Sequence, residues 1–332
     1  MRRIIPATLL LLGVLALAAT GAAAGRTVAG CTTIDTAGTH SLEGDVTVEG
    51  TVNGSCLLVT ANDTVIEGGG HVLQGDGNDT GIAVRGGRNV TVRGVNVTGW
   101  TVGIHVRSGS EDVVVTANDV VENGVGSGKH GILVEAGDRA SPPVVVGNAV
   151  RWNYNGIQVA NTPNAVVRDN EVVRNVRTGV VVTGSSHGSD VVDNRIVGSD
   201  LDFQEPEQLD GSGVFVSTSS AVRIERNHIE ANGNGVQLYF LAGSPIINNT
   251  ITRNARGVWV RGQWEAMAAH CNRFVDNLEY GVENNGDTVH NVTRNYWGAA
   301  SGPAGNVTDP STGAVADGSG DNVSSSLHWD PY

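Results

Sequence analysis

A glycine followed by alternating apolar positions recurs along the chain, at Gly81-Ile82, Gly103-Ile104, Gly131-Ile132, Gly156-Ile157, Gly179-Val180, Gly213-Val214, Gly235-Val236, Gly257-Val258 and Gly281-Val282. The intervals between these glycines are 22, 28, 25, 23, 34, 22, 22 and 24 residues. From Gly103 onward an asparagine follows each glycine by 14 to 17 residues, at Asn118, Asn148, Asn170, Asn194, Asn227, Asn249, Asn272 and Asn295. A second asparagine comes five residues later at Asn123, Asn153, Asn175, Asn232, Asn254 and Asn277, with Ser199 substituting once. Within one unit Ile157-Gln158-Val159, Val166-Val167 and Val172-Val173 read as short strands separated by Gly, Asn and Asp turns. Alternation puts Ile157 and Val159 on one face and Gln158 on the other. A unit of about 22 residues cannot bury its apolar face alone, so successive units must stack. The pattern predicts an all-β fold, a single right-handed parallel β-helix of about ten rungs at about 4.8 Å each. The asparagines are expected to stack as ladders, amide to amide and amide to turn backbone.

The ends of the chain break the period. Arg2 and Arg3 precede an apolar run from Ile4 to Ala19, and Ala22, Ala23 and Ala24 supply a small-residue cleavage pattern. This reads as a secretory signal over 1–24, with an uncleaved anchor as the alternative. Val28-Ala29-Gly30-Cys31 also has the form of a lipoprotein processing site. Residues 25–70 are expected to form an N-terminal cap, 71–297 the repeats, and 298–332 a polar tail folded over the last rung. Export permits disulfides, and a Cys31–Cys56 bond would close a 25-residue loop worth about 3 kcal/mol in the chain-entropy model. Cys271 is left unpaired. Nine Asn-x-Ser/Thr sequons mark candidate glycosylation sites at Asn53, Asn62, Asn78, Asn89, Asn96, Asn248, Asn291, Asn306 and Asn322.

Charge narrows the partners. In 332 residues, 21 Lys and Arg stand against 34 Asp and Glu, a formal charge of −13. Such a surface repels phosphate backbones, which excludes nucleic acid and anionic lipid as expected partners. Lys129 is the one lysine, and the acid surplus suits solubility in strong salt, as in a halophile's exported protein.

Cys31-Thr32-Thr33-Ile34, Cys56, the Gly68-Gly69-Gly70-His71 turn, the Gly-Ile-x-Val and Asn-x-Val/Ile rungs, and Asn295-Tyr296-Trp297-Gly298 followed by Ser301-Gly302-Pro303 resemble the right-handed parallel β-helix repeat family. That family includes NosD-like and carbohydrate-binding or sugar-hydrolase domains of haloarchaeal exported proteins. The resemblance covers residues 31 to 303. It implies extracellular or cell-surface placement and polysaccharide recognition or processing, with copper-site maturation in the NosD branch.

Two insertions point to chemistry. Asn123 to Gly131 and Ser199 to Gly213 are long where other rungs take three or four residues, and both leave the same turn of the helix. The first carries Lys129 and His130. The second carries Asp200, Asp202, Glu205, Glu207 and Asp210, a candidate calcium cluster as well as a solvated acidic loop. Between them lie Arg151, Trp152, Tyr154, Arg174 and Arg177. Lys129, His130, Asp202 and Asp210 are the catalytic candidates, although no tight Asp-Asp pair suits glycoside hydrolysis. The outward row of the Gly-Ile-x-Val strands reads His105, Leu133, Gln158, Val181, Phe215, Gln237, Trp259 and Glu283. Phe215, Tyr239 and Trp259, with Tyr154 and Arg177, are the candidate sugar contacts, since aromatic rings offer flat apolar area. Copper would want clustered His with Cys or Met, and His270-Cys271 is the sole adjacent pair. The expected function is binding or structural display on extracellular polysaccharide or envelope glycan. A polysaccharide lyase, hydrolase or epimerase is the alternative, and NosD-like copper maturation a second.

Overall fold

In each rung the chain lays down three strands and turns three corners. The strand Val102–Arg107 leads to Glu111–Thr116, then to Asp119–Val121, and the next rung opens at His130–Val134. The structure, a computed structural model, describes residues 25–48, 50–124, 129–137, 140–199, 211–240, 243–262 and 265–330. Strands three apart in sequence pair in parallel, giving three sheets that run the length of a solenoid. Sheet I holds the eleven strands that include the Gly-Ile-x-Val segments, sheet II the eleven that follow them, and sheet III ten short strands. Among the described residues no helix is long and apolar enough to cross a membrane.

The register is set by burial. Ile82, Ile104, Ile132 and Ile157 are partners on successive rungs and all are fully buried. A slip of one residue would turn this column outward and expose a stack of branched side chains, so the period-2 pattern pins every rung. The glycine before each of these residues has a different cause. A Cβ on Gly156 would lie 2.6 Å from the carbonyl oxygen of Gly179 on the next rung, and one on Gly235 would lie 2.5 Å from that of Gly257. Backbones at this corner approach too closely for any side chain.

Asparagines close the two corners that flank sheet III. A single left-handed residue turns each corner, such as Ala117 (φ 53°) before Asn118 and Glu122 (φ 54°) before Asn123. The next side chain then points inward. Asn148 Nδ2 donates to Asn170 Oδ1 at 3.0 Å and to the Val115 carbonyl at 2.9 Å, while its backbone N–H also donates to Asn170 Oδ1. Each amide thereby satisfies buried groups that no sheet partner can reach. One ladder runs from Asn118 to Asn295, the other from Asn123 to Asn277 with its break at Ser199. The second ladder ends on Asp321, whose carboxylate accepts from Asn277 Nδ2 at 2.6 Å.

The ends are continuous with the solenoid. Strands Arg26–Val28, Thr32–Ile34 and Gly38–Leu42, within 25–70, already pair in register with the strands that follow. Cys31 and Cys56 are disulfide-bonded across the first turns. At the other end Asn291, Tyr296 and Val323 bridge to the last strands of sheets II, III and I. The tail is held by buried Asp309, which accepts from the N–H groups of Ser311, Trp329 and Asp330 and from His328 Nδ1. Residues 1–24, the range of the signal reading, lie outside the described residues.

Candidate functional site

Sheet I presents three outward columns. The central one runs Ala83, His105, Leu133, Gln158, Val181, Phe215, Gln237, Trp259, Glu283, one residue per rung and in register. Beside it a column through Arg85, Arg107, Thr183, Ser217, Tyr239 and Arg261 follows the strand ends. The side chains of one rung lie about 4.8 Å from those of the next, so the face is a ruled surface along the solenoid axis.

A hollow of about 260 Å³ opens in this face, lined by Asn155, Gln158, Arg177, Thr178, Val181, Phe215, Gln237, Tyr239 and Arg261. Its floor is neutral over four rungs, with Gln158, Val181, Phe215 and Gln237 in the central column. Asn155 is only 7% exposed, and its Oδ1 has no hydrogen-bond partner although its Nδ2 lies 3.4 Å from His130 Nδ1. Gln237 is anchored by Ser212, whose hydroxyl donates to Gln237 Oε1 at 2.9 Å.

Of the residues singled out from the sequence, Phe215, Tyr239 and Arg177 line the hollow. Tyr154 does not; it occupies the corner before Asn155, and its carbonyl accepts from the Arg177 N–H at 2.8 Å. Lys129, Tyr154 and Arg177 stand on consecutive rungs at that corner, since the Asn155 N–H in turn donates to the Lys129 carbonyl. Trp259 lies beyond the hollow, its ring within 4.8 Å of the Arg256 guanidinium and 4.4 Å of that of Arg261. Its faces are therefore contacted by the protein's own cations. Arg151 and Trp152 belong to the sheet III side, where Arg151 pairs with Asp119 and Trp152 carries Arg174 over its ring. Asp200, Asp202, Glu205, Glu207 and Asp210, the calcium cluster and two catalytic candidates, lie outside the described residues. Among the described residues no group of three or more His, Cys, Asp or Glu is placed to hold a metal ion.

His130 opens its strand, is 7% exposed, and burial depresses its pKa to about 4. It is therefore a neutral imidazole near pH 7. His105 is likewise lowered by burial and by Arg107, against the pull of Glu135, which His105 Nε2 meets at 3.0 Å. Arg107 Nε donates to His105 Nδ1 at 3.3 Å. A second, wider hollow of about 470 Å³ adjoins this group, lined by His105, Arg107, Ser108, Glu135, Gly137 and Asn161. The sequence listed His105 as an outward residue but gave no sign of its two partners, because Glu135 comes from the next rung.

Seven of the sequon asparagines, Asn53, Asn62, Asn78, Asn89, Asn248, Asn291 and Asn306, are exposed. Asn96 and Asn322 are half-buried, and their amides donate to the carbonyls of Gly70 and Glu279. Cys271 is the left-handed corner residue before Asn272, exposed and with its thiol free.

The family described as "Periplasmic copper-binding protein (NosD)" matches residues 137–306, and that described as "Right handed beta helix region" matches residues 30–196. Each spans just over half of the chain. No curated protein matches it. Among solved structures the chain is similar to the Dettilon tailspike protein, with 13% identity and a TM-score of 0.68 over 82% of this chain and 59% of that one. It therefore spans about three-fifths of the tailspike's length. It is also similar to the mannuronan C-5 epimerase AlgE4 A-module of Azotobacter vinelandii, at 15% identity and TM-score 0.56 over 82% of this chain and 83% of the module. An alginate lyase of Paenibacillus sp. str. FPU-7 aligns at 11% identity and TM-score 0.51 over 91% of this chain and 99% of the lyase. These likenesses establish the fold.

Copper, named in the first family description, finds no soft ligand set among the described residues. Met267 is buried in the core, and His270 Nδ1 bonds the Thr293 carbonyl while the Cys271 thiol is exposed at the corner. What the matches and the eleven rungs establish together is membership: the chain belongs to the right-handed β-helix repeat family, of the NosD-like kind.

Proposed function

We propose that the protein binds extracellular polysaccharide or envelope glycan on the outer face of sheet I, in a binding or structural role outside the cytoplasm. The observation that carries this reading is the hollow, in which the Phe215 and Tyr239 rings and the Gln158 and Gln237 amides converge. Ring faces stack on the apolar faces of sugars, and amides answer hydroxyls. Two structural neighbours are named for acting on mannuronan and alginate, which agrees with a glycan partner. The disulfide and the periplasmic description of the matched family favour placement beyond the cytoplasm.

Catalysis ranks second because glycoside hydrolysis needs a pair of carboxyl groups flanking the scissile bond. The described lining of the hollow holds amides, arginines, aromatics, Thr178 and Val181. The test is to incubate the protein with neutral and uronic polysaccharides in high salt with calcium, recording chain shortening, unsaturated ends and retention together. Retention without cleavage, reduced at least tenfold in Phe215→Ala and Tyr239→Ala, is the expected result. Cleavage would instead make it an enzyme and direct attention to Asp202, Asp210 and Lys129.

A further inference from the structure

The chain puts its asparagines to two uses that do not overlap. Before residue 97 there are five, Asn53, Asn62, Asn78, Asn89 and Asn96, and every one heads an Asn-x-Ser/Thr sequon. Between residues 97 and 247 there are thirteen, and none does. The thirteen include the inward ladder residues from Asn118 to Asn227 and from Asn123 to Asn232. Ser and Thr occur throughout both stretches, so a chance scatter of hydroxyl residues would not sort the asparagines in this way.

Four of the five flank two strands of sheet I. Asn53 and Asn78 come just before Ser55–Val59 and Thr80–Arg85, and because Ser55 and Thr80 are register partners the two asparagines sit on successive rungs at one margin of the sheet. Asn62 and Asn89 follow the same strands at the other margin. There Asn62 Oδ1 accepts from the Arg88 N–H at 2.8 Å, and Asn89 Nδ2 donates to Asp63 Oδ1 at 2.7 Å. All four are exposed. Substitution at Nδ2 keeps both bonds, since Asn62 uses its oxygen and a glycosylated Asn89 retains one N–H. The hydroxyl residues of these sequons face the other way: Ser55 and Thr64 are fully buried, and Thr80 is 5% exposed.

We propose that Asn53, Asn62, Asn78 and Asn89 carry N-linked glycans, attached before the first rungs close. Each transfer uses an oligosaccharide activated as its glycosyl phosphate. The bond from Nδ2 to the anomeric carbon forms, the anomeric C–O bond breaks, the phosphate leaves with the bonding pair, and one Nδ2 proton passes to base. A sequon is read through its hydroxyl as well as its amide. The folded rungs hide that hydroxyl at Ser55, Thr64 and Thr80, so the transferase has to meet the chain unfolded. In the finished molecule the glycans stand in two pairs, one at each margin of sheet I. The nearest strand of the hollow, Asn155–Ala160, lies three rungs beyond Thr80–Arg85, about 14 Å away, and its face is left bare. This rests on the placement outside the cytoplasm proposed above and adds a covalent modification, its positions and its timing.

The experiment exports the full chain from a host whose secretory pathway N-glycosylates Asn-x-Ser/Thr, and maps its glycopeptides by mass spectrometry before and after enzymatic deglycosylation. The four asparagines are expected to be occupied. Asn53→Gln, Asn62→Gln, Asn78→Gln and Asn89→Gln should each lose one glycan mass and leave polysaccharide retention unchanged. In parallel, chain folded without glycans is offered to a purified oligosaccharyltransferase and its glycosyl phosphate donor, both as the native protein and after reduction and denaturation. Transfer to Asn53, Asn62 and Asn78 should be at least tenfold slower in the native protein. Equal transfer to both forms overturns the timing. An exported chain that is bare at these asparagines overturns the proposal while leaving the placement and the glycan-binding reading standing. A chain found only in the cytoplasm of that host overturns the placement and the proposal together.

Discussion

The backbone N–H of Trp100 donates to Asn123 Oδ1 at 3.1 Å, so the indole stands in line with the second asparagine ladder, one rung before it begins. Its Nε1 donates to the Leu73 carbonyl at 3.0 Å, as Asn123 Nδ2 does to the Val97 carbonyl at 2.9 Å. Leu73 and Val97 are register partners. The tryptophan thus makes the ladder's bond to the preceding strand and fills the corner besides, against Gly75 and Gly81, where a Cβ would meet its ring at 2.5 and 3.0 Å. Trp100→Ala should cost about 3–5 kcal/mol. Trp100→Asn should recover part of that through the Leu73 bond, and urea midpoints at unchanged slope would measure both.

The ladder's one break is open to repair. Ser199 is fully buried, its N–H already donates to Asn232 Oδ1 at 2.8 Å, and its Oγ has no partner. Ser199→Asn would offer an Oδ1 to Asn175 and an Nδ2 to Asn232. A net of about 1 kcal/mol per added bond gives an expected gain of about 1–2 kcal/mol. A lower melting temperature would show that the insertion after Ser199 forbids the ladder geometry.

The glycine column tests close packing of backbone on backbone. A Cβ at Gly156 would lie 2.6 Å from the Gly179 carbonyl oxygen and 2.9 Å from Asn175 Nδ2, and neither neighbour can yield without opening a rung. Gly156→Ala is expected to destabilise by about 1–3 kcal/mol. Hydrogen exchange should locate the loosening in the rungs around residues 153–180.

Acid should release the tail. Burial alone would raise the Asp309 pKa, but the N–H groups of Asp330, Ser311 and Trp329 and the His328 ring outweigh it and hold it at about 2. A carboxyl depressed in the folded state stabilises fully above its unfolded pKa of about 3.9, and that contribution is lost as pH falls toward 2. Amide exchange at Trp329 and Asp330 should quicken over that window, and in Asp309→Asn it should be fast already at pH 7.

Two buried histidines set a second dependence at higher pH. Burial lowers both His130 and His290 to about 4, so between about 6.5 and 4 the unfolded chain binds protons that the folded chain does not. Stability should therefore decline as pH falls through that range. Thermal melts from pH 7.5 to 4.5 should show this slope, reduced in His130→Gln.

Much of the architecture was legible because a β-helix is local. A strand's inward and outward residues alternate within a few positions, and the rung above repeats the rung below, so the intervals between glycines and asparagines carried the fold, the ladders and the outward row from His105 to Glu283. Even Ser199 stood out as a substitution in phase. What the intervals could not carry was how side chains from different rungs meet. Tyr154 and Trp259 look as suited to a sugar as Phe215 and Tyr239, and only the third dimension puts Tyr154 at a corner and Trp259 against Arg256 and Arg261. The same holds for Glu135, which reaches His105 from the next rung, and for Asn155 Oδ1, whose lack of a partner is a fact about its neighbours. Periodicity determines which way a residue faces, because that depends on the backbone beside it. Which groups share a hollow and which cations find a carboxylate depend on lateral distances between rungs, and those exist only once the chain has wound.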